Sequence, residues 1–416
     1  MPSNQPTGTP AASPTTLDGI REVRAEVGRA SAADAATRDA VVAADRDFAF
    51  RLYQVLAPGA PANLFYSPYS ISTALSMTYA GAREQTARQL AEVLGIDVAD
   101  SAWHAGRNAL DLALSATRPV NGDQTPLTLE PTNGIFGQAG YPFEADFLRV
   151  LAADYGAGLQ TVDYVGRVEA ARALINAWVA QRTNDRIGEL LPRGSIDEMT
   201  VLVLVNAIYF KGSWWNQFNA KATDRQAFNR LDGSQVQVDQ MHATLESDYA
   251  SGDGWQAVRL AYAGGASMTL IVPDAGRFAE IQAGLSGDFV AGVESALAGA
   301  SVSLDLPRWS SASALDLVPP LKALGLTDIF DASTANLSGI AAVDQLYVSG
   351  VLHQANVSVD EQGTEAAAAT AVVVGRTSLP AQQVNLNVDH PFIYLIRDDV
   401  TGEVLFVGRV LDPTAD

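Results

Sequence analysis

Between Ala366 and Gly375 the chain reads AAAATAVVVG, with no charge and no side chain larger than valine. The alanine-rich start of this run suits a helix and the valine-rich end a strand, while Gly363 and Gly375 loosen both ends. Laid out as a strand, Thr364, Ala366, Ala368, Thr370, Val372 and Val374 share one small, neutral face, and Glu365 points the other way. The plain readings are an ordinary buried strand or a low-complexity loop. The functional reading is a segment held outside the fold yet suited to entering a sheet. Some ten new ladder bonds at a net ~0.5–1.5 kcal/mol each would contribute on the order of 5–15 kcal/mol, enough to drive one irreversible event.

The rest of the chain must then supply a sheet. From about Ala36, Val41, Ala44, Phe48, Leu52, Val55 and Leu56 recur at helical spacing up to Pro58-Gly59. Ser67-Pro68 opens a second helix through Ile71, Ala74, Leu75 and Thr78, and Thr86 to Leu94 reads as a third, closed by Gly95. Val168, Ala171, Leu174, Ile175, Trp178 and Val179 mark a long amphipathic helix mid-chain. Strands follow. Val201 to Phe210 is a buried, β-branched run, and Val258, Leu260 and Tyr262 alternate before Gly264-Gly265 turns the chain into Met268 to Val272. Alternation recurs at Val302, Leu304 and Leu306, at Val384, Leu386 and Val388, and in Pro391 to Ile396 and Glu403 to Val407. Helices lead and strands follow, without βαβ alternation or repeats, which gives an α+β class. The organisation read from this is a disordered Pro/Ser/Thr/Ala-rich tail over residues 1–35 and a single domain over residues 36–416.

Composition removes several functions. Forty-seven acidic against 27 basic residues give a net charge of −20, with no basic run to displace counterions, so nucleic acid and anionic membrane surfaces are poor partners. There is no cysteine, which excludes disulfides, thiolate catalysis and thiolate metal sites. No stretch reaches the ~18 apolar residues of a membrane span. The N-terminus lacks the apolar core of a secretory leader. The four histidines, His104, His242, His353 and His390, are scattered without a metal-ligand spacing, and no Gly-x-Ser-x-Gly elbow or phosphate loop occurs. Gly252-Asp-Gly254-Trp-Gln-Ala257 half-matches a dinucleotide fingerprint but precedes a strand-like segment, and so reads as a turn. Asn336-Leu-Ser338 and Asn356-Val-Ser358 are sequons of the kind chance supplies. No cofactor and no metal are expected.

The segment from Glu361 through Thr370, EQGTEAAAAT, resembles the reactive-centre loop hinge of the serpins, and other blocks stand in that family's order. Asn63-Leu-Phe-Tyr-Ser-Pro-Tyr-Ser-Ile71 is similar to the start of helix B. Asn206-Ala-Ile-Tyr-Phe-Lys-Gly-Ser-Trp214 resembles the end of the third strand of sheet A. Leu324-Gly-Leu-Thr-Asp-Ile-Phe330 with Asn336-Leu-Ser-Gly339, Asp389-His-Pro-Phe392 and Leu405-Phe-Val-Gly-Arg409 resemble later signatures. The resemblance covers about residues 36 to 413. It implies a metastable fold of three β-sheets, about nine helices and an exposed reactive-centre loop at about residues 361–383. It also implies suicide inhibition: a target serine protease cuts the loop and forms an acyl-enzyme, and the loop enters sheet A and traps it. The catalytic residues then belong to the protease, and the inhibitor acts as a monomer.

The resemblance also implies roles for single residues. Glu361, Gly363, Thr364, Glu365, Ala366, Ala367, Ala368 and Ala369 match the hinge, whose side chains must be small to enter a sheet. Ser67, Ser70, Asn206 and His353 match a buried shutter cluster, and for His353 a satisfied core histidine is nearly the same claim. Trp214 matches the tryptophan at the breach where the loop first enters, though an ordinary core tryptophan reads alike. Glu361 is expected to pair with Arg308, the bland alternative being a surface pair of little worth. The cleaved bond has two readings. The usual loop length counted from Glu361 places Thr377 before it and Ser378 after it, for an elastase- or subtilisin-like target. Arg376 alone in the loop suits the acidic pocket of a trypsin-like protease, and would be followed by Thr377. A non-inhibitory serpin, carrier or chaperone, is the rival reading, and a hydrolase the remaining enzyme one. An extracellular or periplasmic site suits an inhibitor on a flexible tether, and the missing leader leaves the cytoplasm open.

Overall fold

The computed structural model describes residues 17, 19–59, 62–116, 118, 120, 127–364 and 382–415. Among them are nine α-helices: α1 (Ala35–Gly59), α2 (Pro68–Tyr79), α3 (Glu84–Leu94), α4 (Asp100–Leu114), α5 (Ala145–Asp154), α6 (Val168–Arg182), α7 (Phe278–Gly284), α8 (Gly287–Ala296) and α9 (Val318–Ala323). The strands are β1 (Arg21–Val23), β2 (Leu64–Tyr66), β3 (Thr128–Gln138), β4 (Leu159–Val162), β5 (Leu202–Ser213), β6 (Asp224–Asn229), β7 (Gln235–Gly252) and β8 (Trp255–Tyr262), followed by β9 (Ala266–Pro273), β10 (Ala298–Pro307), β11 (Trp309–Asp316), β12 (Gly350–Asp360), β13 (Gly363–Thr364), β14 (Gln382–Asn387), β15 (Phe392–Asp398) and β16 (Val404–Val410).

Local chemistry sets many of the boundaries. Ser67 caps α2 by accepting from the Ser70 amide, and Pro68 fills the first helical position, where no amide hydrogen is needed. Gly95 closes α3 in the left-handed conformation, at φ 71°. Asp253-Gly254 is a two-residue hairpin turn between β7 and β8, with Gly252 paired to Trp255 and Gly254 at φ 78°. The glycines of the half-matched dinucleotide fingerprint therefore serve this turn.

Two hydrogen-bonded sheets result. The first has seven strands in the order β1-β4-β3-β5-β13-β12-β11. The second runs β14-β10-β7-β8-β9-β15-β16-β2, with β6 added beside β7. The three sheets implied by the sequence resemblance form two networks because β7 pairs with β6 and β10 along most of its length, and then with β8 at its end. The seven-stranded sheet separates two cores. Leu202, Leu204, Ile208 and Phe210 face the main core, whereas Val203, Val205 and Ala207 face a smaller one with Phe136, Ile175, Trp178 and Val179. Helix α6 thus lies on the outer face of the sheet, Trp178 standing edge-on to Phe136 at 5.1 Å.

Order begins earlier in the chain than the composition of the tail indicates. Arg21–Val23 pair antiparallel with Thr161 to Leu159, and Ile20 is buried in the smaller core. Gly19 allows the approach: its φ is +103°, and a Cβ there would come within 2.8 Å of Leu174 Cδ1. Arg29 donates to Asn108 Oδ1 at 2.9 Å, and the Asn108 amide donates to the carbonyls of Ala30 and Ser31. A buried isoleucine, a three-residue ladder and the Arg29 and Asn108 side-chain bonds seat this segment, and composition does not register them.

Candidate functional site

The seven-stranded sheet holds a fork. β5 and β12 run parallel and pair from Val203↔Gly350 to Ile208↔Ala355. Above that level they part, and two residues stand between them: Gly363 and Thr364 pair antiparallel with Ser213 and Gly212 of β5 and with Asp360 and Val359 of β12. The chain leaves β12, turns at Glu361-Gln362 and starts back down as β13. Gly363 has a φ of +145°, and a Cβ on it would collide with the Gly212 carbonyl oxygen and the Ser213 and Trp214 backbone. Only glycine fits there.

Thr364 is wholly buried, its hydroxyl 2.8 Å from that of Tyr262. Tyr262 stacks on Trp214 at 4.4 Å with the rings 14° from parallel. Trp214 is itself buried, with Nε1 donating to the Asp360 carbonyl at 2.9 Å and its amide to the Gln362 carbonyl at 2.8 Å. Trp214 thus ties β5 to the turn that carries Glu361. The Glu361 side chain is nearly buried and Arg308 is partly exposed; Arg308 Nε donates to both carboxylate oxygens, at 3.0 and 2.8 Å, and Thr223 donates from the other side. Burial alone would raise the Glu361 carboxyl, but the Arg308 and Thr223 hydrogen bonds and the arginine charge outweigh it and hold the group below its ordinary value. This exceeds a surface pair, since the carboxylate is out of water.

Below the fork lies a closed ring of polar side chains. The Ser67 amide donates to His353 Nε2 at 3.1 Å, which puts the imidazole proton on Nδ1, facing Asn206 Oδ1. Asn206 Nδ2 donates to Asn133 Oδ1 at 2.6 Å, Ser70 Oγ donates to the same oxygen at 2.8 Å, and the Ser70 amide returns to Ser67 Oγ. The ring joins β12, β5, β3 and the N-terminus of α2 at one level, where His353 is paired with Asn206 and Asn206 with Asn133. His353 is wholly buried and neutral, its pKa lowered to about 3 by burial.

The structure therefore brings together Ser67, Ser70, Asn206 and His353 in one cluster, and Trp214, Arg308, Glu361, Gly363 and Thr364 in another. Glu365, Ala366, Ala367, Ala368, Ala369, Arg376, Thr377 and Ser378 lie outside the described residues. Sequence reasoning missed Asn133, the hub of the ring, and Tyr262, the partner of Thr364. Asparagine is unfavoured inside strands, so Asn133 between Thr132 and Gly134 is a signal only once β3 is known to be a strand. Among the described residues no group of three or more His, Asp or Glu side chains is placed to hold a metal ion.

Residues 43–413 match the family described as Serpin (serine protease inhibitor). The chain belongs to the serpin family. It is 36% identical over 392 residues to the leukocyte elastase inhibitor of Bos taurus, covering 89% of this chain and 99% of that one. A serpin-like protein of Thermococcus kodakarensis is 34% identical over 377 residues, covering 90% and 86%. Among solved structures, human thyroxine-binding globulin superposes with a TM-score of 0.81 at 27% identity, covering 91% of this serpin and all of that chain. The fold is thus shared by an elastase inhibitor and a thyroxine-binding globulin, and the site must separate the two roles.

Proposed function

We propose that this serpin is a suicide inhibitor of serine proteases, acting as a monomer outside the cytoplasm. The observation that carries the reading is the fork: Gly363 and Thr364 already occupy the first two registers of a strand between β5 and β12. Continuing that register sets Ala366 between Phe210 and Val357, Ala368 between Ile208 and Ala355, and Thr370 between Asn206 and His353. These positions face the main core, where alanine and threonine fit without displacing it. Thr370 would arrive at the polar ring, where its hydroxyl can replace part of the bond that must break between Asn206 and His353. A carrier needs no such small, neutral face.

The covalent step uses the target's groups. Its serine oxygen attacks the carbonyl of the residue before the cut bond, the new amino terminus leaves with a proton, and an ester joins protease to inhibitor. Insertion then competes with water for that ester. Glu361, Gly363 and Thr364 act as the hinge, Trp214, Arg308 and Glu361 as the breach, and Ser67, Ser70, Asn206 and His353 as the shutter. Cleavage after Arg376 means a trypsin-like target, and cleavage after Thr377 an elastase- or subtilisin-like one.

The test is incubation with trypsin, elastase and subtilisin separately, followed by a denaturing gel and sequencing of the released C-terminal fragment. A band at the summed mass that survives SDS is expected with at least one protease. The fragment begins at Thr377 if Arg376 precedes the bond, and at Ser378 if Thr377 does. Clean cleavage by all three without such a band overturns inhibition and leaves the carrier or chaperone reading.

A further inference from the structure

The outer face of the fork is bridged. After α6 the chain reverses through Asn184 and Asp185, both left-handed at φ 50° and 59°. The turn is fixed by the Asp185 amide donating to the Ala180 carbonyl at 2.8 Å and the Arg186 amide to the Thr183 carbonyl at 2.9 Å. Asn184 and Asp185 tolerate this conformation better than most residues. The turn carries Arg186 over the sheet and pins it to both walls of the cleft. Its guanidinium stands 5.5 Å from the Tyr209 ring on β5, and its carbonyl accepts from Asn356 Nδ2 on β12 at 3.2 Å. Asn184 adds a bond to Glu130 of β3 at 3.2 Å.

The level of this bridge is specific. The last paired residues below the fork are Ile208 and Ala355, so Tyr209 and Asn356 face each other one step above them. The bridge therefore crosses the cleft at the level where the ladder ends. An entering strand would place Ala367 at that level, beneath Arg186. Asn356 Oδ1 is buried and unpartnered, so the described side-chain bond at the β12 end is the one to Arg186. The sequon at Asn356 also finds its amide nitrogen engaged here.

Resting on the insertion reading above, we propose that Arg186 is a positioning residue that clasps β5 to β12 across the fork, and that release of this clasp sets how fast a strand can enter. β5 is held through the guanidinium and β12 through the carbonyl, and freeing the Asn356 end opens the bridge outright. Freeing the guanidinium loosens it but leaves Asn184 on Glu130, the β3 partner of Tyr209, as a weaker hold on that side.

The test uses the full, uncleaved chain and a fluorescent synthetic peptide copying residues 364–376, with uptake followed by anisotropy. Arg186→Ala and Asn356→Ala are each expected to speed uptake about three- to tenfold, the value of one lost cation–π contact or one neutral hydrogen bond. The double variant should add less than about twofold to the faster single one, because the bridge is already broken. Arg186→Lys, which keeps a cation over the ring, should return most of the parent rate. Ser358→Ala, on the same face of β12 but outside the bridge, should leave the rate unchanged. Parent-like uptake by both single variants, or a double variant whose acceleration is the product of the singles, overturns the clasp and leaves insertion standing. No uptake by any chain, parent included, overturns the insertion reading and the clasp with it.

Discussion

Thr364→Arg tests whether entry at the fork governs inhibition. Thr364 is wholly buried between Gly212 and Val359, and its recorded side-chain partner is the hydroxyl of Tyr262, which offers no counter-charge. An arginine there must bury its guanidinium against the Tyr262–Trp214 stack or keep Gly363 and Thr364 out of the sheet. Leaving a charge buried without a partner costs about 3–5 kcal/mol. The folded protein escapes that cost by withdrawing β13, only two residues long, so its melting temperature should move by no more than a few degrees. Insertion cannot escape it, because this side chain must enter before any other. At about 1.4 kcal/mol per factor of ten, strand entry should slow by roughly a hundred- to several-thousandfold. Deacylation then wins at most encounters. The assay is the number of inhibitor molecules consumed per protease silenced, with the cleaved and trapped forms counted on a denaturing gel. The parent should stand near one and the variant far above it, with its loop cut and the protease still active. Thr364→Val separates charge from shape: it forfeits one hydrogen bond, about 1 kcal/mol, and should raise the ratio only slightly. Trapping by Thr364→Arg at the parent ratio would refute the argument that entry begins with this side chain.

Three further outcomes follow from the buried polar groups. His353, lowered from 6.5 to about 3, binds a proton more readily in the unfolded chain, so stability should fall as pH drops from about 6.5 towards 3, by up to about 4–5 kcal/mol. His353→Gln should flatten that limb in a series of denaturant melts, while His104, lowered to about 4, keeps its own share in both chains. Asn133→Ala leaves Asn206 Nδ2 and Ser70 Oγ without their acceptor, and should cost about 1–3 kcal/mol per orphaned group in the denaturation midpoint. Glu403 is buried beside Asp45, and burial, the Asp45 charge and the hydrogen bond between the two carboxyl groups raise its pKa well above 4.5 despite Arg107. The folded state therefore holds that proton longer than the unfolded one, stability declines as pH rises above 4.5, and Glu403→Gln should melt higher than the parent at neutral pH.

The family was legible because its signatures are local: Asn63 to Ile71 closes β2 and caps α2, and Asn206 to Trp214 runs from the polar ring to the fork. Helices α1, α2, α3 and α6 and strands β5, β8, β9, β15 and β16 announce themselves by period and by Gly or Pro stops. Strand β12, the far wall of the cleft, does not. Val351, Ala355, Val357 and Val359 alternate inward, but His353 interrupts them, and Gln354 and Asn356 lie on the face beneath Arg186. Two of the polar residues that hide the strand from a hydrophobicity pattern, His353 and Asn356, make contacts that hold the cleft. Asn133 is hidden for a related reason, since its meaning depends on a register across three strands.

That coincidence has a physical basis. On the proposed insertion, a sheet that parts once between β5 and β12 cannot be held there by apolar packing alone, because interdigitated side chains resist separation without offering the entering strand anything in exchange. Hydrogen bonds can be traded. Each bond between Gly350–Ala355 and Val203–Ile208 has a successor on the incoming backbone, and the Asn206–His353 contact has one in the Thr370 hydroxyl. The barrier to parting then lies in contacts that have no successor, the Arg186 clasp and the Trp214 tie at the turn. Variants at Arg186 and Asn356 should change how fast insertion occurs, whereas variants at Thr370 should change how far it goes. Thr370→Val is the sharpest case. Its shape enters the sheet as well as threonine does, but it leaves the Asn206 and His353 groups unpaired in the cleaved form. The cleaved Thr370→Val protein should therefore melt lower than the cleaved parent, while the uncleaved proteins melt alike. A cleaved variant as stable as the cleaved parent would mean that the ring survives insertion by another route, and that Thr370 does not take part in it.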